Sequence, residues 1–469
     1  MRSPSPLRSR SRLSLGSRTS GAAMACGVVL AAVAGAPAAY AAEGDAPAGK
    51  RSVQVVMVNF QDSTLTGTAK LKSTLEGTYY GASGSLTSYY NEITRNKATF
   101  GPRDAGQKVL GPLTLPMSGA GCDTSKMADE TYKALAARGI AKDSFDHVSI
   151  VFPNSTAKCE FAGLGTVGGG KTWMPAEEFS ANALIHEFGH NLGYHHHMRL
   201  RCPEGDLGAG CKEDGTSHKS VMGGGGSAAG LSAPELIHNK WLGGAELAQV
   251  TKSGTYTLRP LAGSGSGVRA LSIPLGGGGE GGGDRLIVDF RAEAGALDGK
   301  IQGVHAYRVT EGDYAESAFI DPTPGDGESP DADALKPGSE LTDTARKVRV
   351  KVISAGTGSA KVSVSLNGVP APAGGSNPAP QTQQTSPAGG TENSGTEQGG
   401  TDDKGGTPSG GTATPESPAG SPAAAPATSP NSDLAATGGS STTLPLALGG
   451  ATFLALGAAA LLKIRRRRG

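Results

Sequence analysis

The run HEFGHNLGYHH at positions 186–196 constrains this chain more than any other stretch. On a helix, residues four apart share a face, so His186 and His190 can present two imidazoles to one ion. Glu187 follows the first of them and lies close to that ion without having to bind it. There it can take a proton from water. Gly193 can adopt a positive φ that ends the helix and reverses the chain, which lets His196 supply a third nitrogen from another direction. Three protein ligands leave one coordination position open, the arrangement of catalytic rather than structural zinc. The chain has 73 Gly and 9 His in 469 residues. At those frequencies a Gly and a His at the two outer offsets arise by chance with a probability of roughly 0.003. Spacing alone selects His196 over His195 and His197, and a solvated His-rich helix end is the bland alternative.

Around this run the chain alternates strand and helix patterns. SVQVVMVNF (52–60) and HVSIVFPNS (147–155) read as buried strands, the second ended by Pro153. LTSYYNEIT (86–94) reads as a helix, as does 123–139, with Asp123 as its N-cap. The Gly-rich GLGTVGGGKTWMP (163–175) reads as an exposed edge strand, and a helix pattern runs from about Pro175 to Leu192. Strands alternating with helices imply an α/β sheet. After residue 250 the pattern becomes short alternating segments at 255–261, 268–275, 285–290, 303–309, 348–354 and 360–366, separated by Gly, Pro and Asp. These predict a small β-sandwich-like domain. The expected fold is an α+β or α/β catalytic domain over 42–250, with a mixed twisted sheet and a zinc-binding helix. A small all-β domain over 251–368 follows it.

The ends carry export and display signals. Arg2, Arg8, Arg10, Arg12 and Arg18 precede an apolar run from Ala22 to Ala36, and Ala39 and Ala41 flank Tyr40. That pattern reads as a signal peptide over 1–41, and a membrane anchor is the weaker reading because the run is short and rich in Ala and Gly. Cys26 is then discarded, leaving Cys122, Cys159, Cys202 and Cys211. Four cysteines in an exported chain predict two disulfides with three possible pairings, of which Cys202–Cys211, closing a short loop, and Cys122–Cys159 are favoured. A cysteine zinc site lacks any C-x-x-C spacing. Residues 369–433 are rich in Gly, Pro, Ser, Thr, Ala and Gln with almost no large apolar side chains, the composition of a disordered linker. LAATG at 434–438 precedes an apolar span at 444–462 and the basic KIRRRR at 463–468. The span is long enough for a bilayer and the basic tail sets its cytoplasmic side. A formal net charge of +1 gives no reason to expect a nucleic-acid partner. The acidic DGESPDAD (326–333) is a Ca2+ candidate by composition but lacks the spacing of a known calcium loop.

HExxHxxGxxH resembles the zinc signature of the metzincin clan of metallopeptidases. That resemblance implies a metzincin-like fold, one catalytic Zn2+ on His186, His190 and His196, and hydrolysis of a protein or peptide substrate with Glu187 as base. It also implies a methionine in a tight turn beneath the metal, and Met222 in SVMGGGG (220–226) fits. Within the clan the chain is most similar to the gametolysin family, over roughly 52–250. The likeness lies in its first strand, SLTSYYNEITRNKATF (85–100), GLGTVGGGKTWM (163–174) and SAPELIHNKWLG (232–243). The immune-inhibitor-type bacterial metallopeptidases are the second choice. The 163–174 segment is expected to take substrate as an added antiparallel strand. Two departures stand out: the next tyrosine after Met222 is Tyr256, and only about ten residues separate Ala41 from the first strand, too few for a folded inhibitory pro-segment. LAATG with its span and basic tail resembles the cell-wall sorting signal of Gram-positive surface proteins. That implies a sortase cutting between Thr437 and Gly438 and joining Thr437 to peptidoglycan; a plain single-pass anchor is the alternative. Two other functions stay open: a non-catalytic surface adhesin on a peptidase scaffold, and a hydrolase of cell-wall peptide cross-links. Glu187 speaks against the adhesin, which has no use for a base beside an open metal position.

Overall fold

A computed structural model describes residues 49–208, 210–276, 283–322 and 334–372, together with the backbone of 434–438. The expected signal peptide, most of the linker, the acidic loop 326–333 and the span 444–462 with its basic tail lie outside the described residues.

The first sheet is built around β1 (Gly49–Asn59), whose Val53, Val55, Val56, Met57 and Val58 are all buried. A strand apolar on both faces belongs in the middle of a largely parallel sheet covered on both sides. Helices α1 (Thr68–Tyr80) and α2 (Leu86–Ile93) follow it, α2 opening on a capping box at Ser85. Next come β2 (Ala98–Pro102), β3 (Val109–Thr114) and α3 (Thr124–Ala136), whose N-cap Asp123 accepts from the Lys126 N–H at 2.9 Å. β4 (His147–Phe152) ends at Pro153, and the short α4 (Asn154–Ala157) leads to β5 (Phe161–Thr166) and β6 (Lys171–Pro175). β2, β3 and β4 all pair parallel with β1, β6 pairs parallel with β4, and β5 pairs antiparallel with β6. The Gly-rich segment read as one edge strand is therefore a hairpin whose second strand is interior. Val53, Val55 and Met57 of β1 pack toward α1, α2 and the next helix; Val56 and Val58 pack toward α3.

That next helix, α5 (Ala181–Asn191), starts later than the pattern from Pro175 suggested. Pro175 completes β6, and Ser180 caps the helix by accepting from the Ala183 N–H at 3.2 Å. The disulfide Cys122–Cys159 ties the approach to α3 to the approach to β5, with Cα atoms 5.3 Å apart.

Beyond α5 lie β7 (Met198–Arg201) and β8 (Lys212–Thr216), their connection closed by Cys202–Cys211. Then come α6 (Ala233–His238), β9 (Leu247–Gln249), β10 (Gly254–Leu258), β11 (Ala270–Gly276), β12 (Asp284–Arg291), β13 (Gly303–Val309), β14 (Ala318–Asp321), β15 (Glu340–Asp343), β16 (Val348–Ala355) and β17 (Ala360–Ser365). Two sheets form a sandwich: β8-β7-β14-β13-β12-β11-β9 and β10-β17-β16-β15. Leu286, Val288 and Phe290 of β12 share the sandwich core with Val350, Val352 and Val362. The seven-stranded sheet crosses the boundary expected near residue 250, because β7, β8 and β9 precede it. Its second face is buried too, as Ile287, Tyr307 and Phe319 join the core that holds Leu184 and Ile185 of α5. Alternation along each strand thus sends one set of side chains to the sandwich and the other to the α5 region.

Finally, β18 (Leu434–Gly438) pairs antiparallel with β5 and becomes the outermost strand of the first sheet. Among the described residues no helix is long and apolar enough to cross a membrane.

Candidate metal centre

One turn of α5 separates His186 from His190, and their Nε2 atoms stand 3.0 Å apart. Each imidazole has its other nitrogen committed. His186 Nδ1 meets the Val221 carbonyl oxygen at 2.8 Å and His190 Nδ1 meets the Tyr194 carbonyl oxygen at 2.8 Å. A carbonyl oxygen only accepts, so both Nδ1 atoms carry the proton and both Nε2 atoms present lone pairs. Two lone pairs facing each other at this distance repel unless a cation stands between them. Carbonyl contacts of this kind orient metal-binding histidines and set their tautomer.

The third histidine arrives through a local reversal. Gly193, at φ 94°, places its N–H 2.9 Å from the His190 carbonyl, and the Tyr194 N–H reaches the Gly189 carbonyl at 3.2 Å. The chain then returns His196 to the pair, its ring centroid 5.3 Å from that of His186 and 5.0 Å from that of His190. One ligand atom from each of the three lies within 4.8 Å of the others. His195 and His197 point elsewhere. His195 is about half exposed with Nδ1 3.7 Å from Glu316 Oε1, while His197 is buried with Nδ1 3.4 Å from Glu235 Oε1. Burial pushes the pKa of His186 down to about 4 and that of His190 down to about 3, in each case aided by neighbouring histidines. His196 is lowered for the same reason. At neutral pH all three are uncharged, the form that binds a metal.

Glu187 is fully buried, between α5 and β5. A Cβ on Gly163 would stand 2.7 Å from Glu187 Cγ, and one on Gly165 would stand 2.6 Å from the Glu187 carbonyl oxygen. The glycines of β5 therefore let the strand lie directly against the residue next to His186. Met222 is fully buried on the opposite side, where a Cβ on Gly189 would overlap its Sδ. Its turn is pinned by the Met222 N–H to Ser220 Oγ at 3.1 Å and by the His197 N–H to the Met222 carbonyl at 3.0 Å.

The groups that hold this turn carry no metal-site pattern in the sequence. Glu235 of α6 is buried and accepts from Ser220 Oγ at 2.8 Å and from the Ser232 N–H at 2.5 Å. Burial pushes its carboxyl up, but the neighbouring His197 and these hydrogen bonds together outweigh burial and hold it below the usual range. Ser232-x-x-Glu235 is a capping box, a signal visible in SAPELIH. Arg291 is also fully buried; it pairs with Asp298 through two bonds of 2.8 and 2.7 Å and donates to the Gly230 and Lys219 carbonyls at 3.0 and 3.3 Å. It ties both flanks of the methionine turn to the seven-stranded sheet. Two other histidines are buried as well: His147 hydrogen-bonds Asn191 at 3.1 Å, and His305 lies 3.9 Å from Asp289.

No protein-family model matches this chain, and no curated protein matches it. Among solved structures, a chaperone–substrate complex aligns with 37% of the chain at 14% identity and a TM-score of 0.21, and the chain spans 28% of that protein's length. Wild-type OgpA from Akkermansia muciniphila aligns over 65% of this chain and 89% of its own, at 11% identity and a TM-score of 0.28. Catalytically inactive OgpA in complex with an O-glycopeptide substrate, glycodrosocin, aligns over the same shares at a TM-score of 0.26. Likenesses of this size carry no argument about what the chain does.

Proposed function

We propose that this chain is an exported, surface-displayed zinc endopeptidase. The observation that carries the reading is the pair of Nε2 lone pairs 3.0 Å apart, each fixed by a carbonyl at Nδ1, with His196 completing the set. Three neutral nitrogens and no thiolate suit zinc. Zinc, when bound, supplies Lewis acidity that polarises a scissile carbonyl and makes water acidic enough to lose a proton near neutral pH. Glu187, one residue from His186 and walled off by β5, takes that proton and returns it to the leaving amine. β5 offers main-chain donors and acceptors to an extended peptide, a mode that asks little of side chains. Two disulfides among the described residues agree with an oxidising, extracellular setting. The metzincin clan and its gametolysin family remain the resemblance that best accounts for the motif, and the sorting signal at 434–438 the best account of surface display.

Glu187→Gln tests the mechanism. The variant should bind zinc as the parent does and lose about 100- to 10,000-fold in casein hydrolysis. Unchanged turnover rejects the assigned base. Chelation should abolish activity and added zinc restore it. Running the same pair of assays on purified peptidoglycan separates a general endopeptidase from a hydrolase of wall cross-links, and zinc binding with neither activity identifies an adhesin.

A further inference from the structure

Residues 434–438 occupy the side of β5 that β6 does not hold. The pairing is antiparallel, with Leu434 opposite Thr166, Ala435 opposite Gly165, Ala436 opposite Leu164 and Thr437 opposite Gly163. The register then steps past Ala162, so that Gly438 stands opposite Phe161. The step falls beside Gly163, where β5 meets Glu187. Cα atoms of β18 also come within 8 Å of α5. An edge strand recognises peptide through main-chain groups that any extended segment can match. A peptide substrate and this segment therefore require the same donors and acceptors on residues 163–166, and β5 cannot serve both.

We propose that residues 434–438 are a tethered competitor that closes the peptide-binding edge of β5 in the intact chain, so that their departure switches the enzyme on. The switch rests on the peptidase reading above; the docking itself rests on the register alone. Tethering raises the local concentration of so short a strand, to an extent set by the 61 residues between 372 and 434. The same pairing covers the Thr437–Gly438 bond at which a sortase is expected to act, so docking on β5 and processing at the wall exclude one another.

The intact mature chain is compared with two variants of it: the double substitution Ala435→Pro with Ala436→Pro, and a deletion of 434–438. Proline donates no N–H and is not accommodated in a paired strand, and two in succession interrupt whichever residue donates to β5. Hydrogen exchange of the amides at 163–166 and hydrolysis of an unstructured fluorogenic peptide are measured on all three chains. We expect exchange and kcat/KM each to rise about tenfold or more in both variants, the latter through KM. The free pentapeptide Leu-Ala-Ala-Thr-Gly, at about mM concentration, should reverse the gain. Unchanged exchange at 163–166 overturns the docking. Faster exchange with unchanged, zinc-dependent hydrolysis overturns the competition. Cleavage within 434–438 by the intact chain, read by mass, overturns inhibition in favour of a substrate role. Faster exchange with no hydrolysis by any of the three refutes the peptidase reading and the switch with it, leaving the docked strand as the supported part.

Discussion

His186 donates from Nδ1 to the carbonyl oxygen of Val221 at 2.8 Å, so the turn that carries Met222 sets the tautomer of the first proposed metal ligand. The two residues are far apart in sequence, and the contact makes the turn part of the proposed metal centre rather than a floor beneath it. Val221 is in turn held by its neighbour Ser220, whose hydroxyl donates to Glu235.

The three-histidine set is tested by comparing neighbours in sequence. His196→Ala should weaken zinc binding more than about 100-fold, because even residues that only orient metal ligands are worth about 10- to 100-fold. His195→Ala should leave affinity within about twofold, since its exposed contact with Glu316 contributes little. Competition titration with a chromogenic chelator reads both, and equal losses would mean that His196 is not the third ligand.

Gly189→Ala sets two effects against each other. In an ordinary helix interior the change stabilises by about 1 kcal/mol. Here the new Cβ overlaps Met222 Sδ, and overpacking of that kind costs about 1–3 kcal/mol. The clash should win, lowering the melting temperature and weakening zinc binding as the turn shifts away from His186. A rise in melting temperature would show that Met222 is not seated on α5.

Glu235→Ala leaves Ser220 Oγ, the Ser232 N–H and His197 facing an empty buried site. Each buried donor left without its acceptor costs about 1–3 kcal/mol. The urea midpoint should fall accordingly, and zinc affinity should fall with it because the Val221 carbonyl is no longer held. Loss of stability with undisturbed zinc binding would separate Glu235 from the metal centre.

Acid should weaken the metal-free protein in two windows. His186 and His190 titrate near 4 and 3 in the fold, against about 6.5 in the unfolded chain, so the unfolded state binds more protons below pH 6.5. Their contribution is complete above that pH and is lost as pH falls toward 4 and then 3, on the order of 3 kcal/mol for His186 alone. Glu235, lowered from its ordinary value, adds a further loss only below about pH 4.5. Urea midpoints of zinc-free protein at pH 7.5, 5.5 and 4 should decline steadily; a flat profile between 7.5 and 5.5 would contradict neutral, buried ligands.

Much of this was legible without coordinates because it is local. His186 and His190 share a face since a helix repeats every 3.6 residues, and Gly193 can turn the chain because it lacks a Cβ. The alternation that marks β11, β12, β13, β16 and β17 is written residue by residue. The boundary near 250 was less legible: composition changes there, yet β7, β8 and β9 join a sheet whose other strands lie later. Which side a strand pairs on depends on partners remote in sequence, and no local pattern records it.

By itself, then, the sequence brought His186, Glu187, His190 and His196 forward and favoured the short-loop pairing Cys202–Cys211, all of them matters of residue type and short spacing. Tertiary structure alone decided which nitrogen of His186 faces inward, that Glu235 and Arg291 brace the methionine turn, and that 434–438 lies along β5. The decisive partners are remote in sequence, Val221 lying 35 residues from His186 and Gly230 61 from Arg291, and only the folded chain brings them within hydrogen-bond reach.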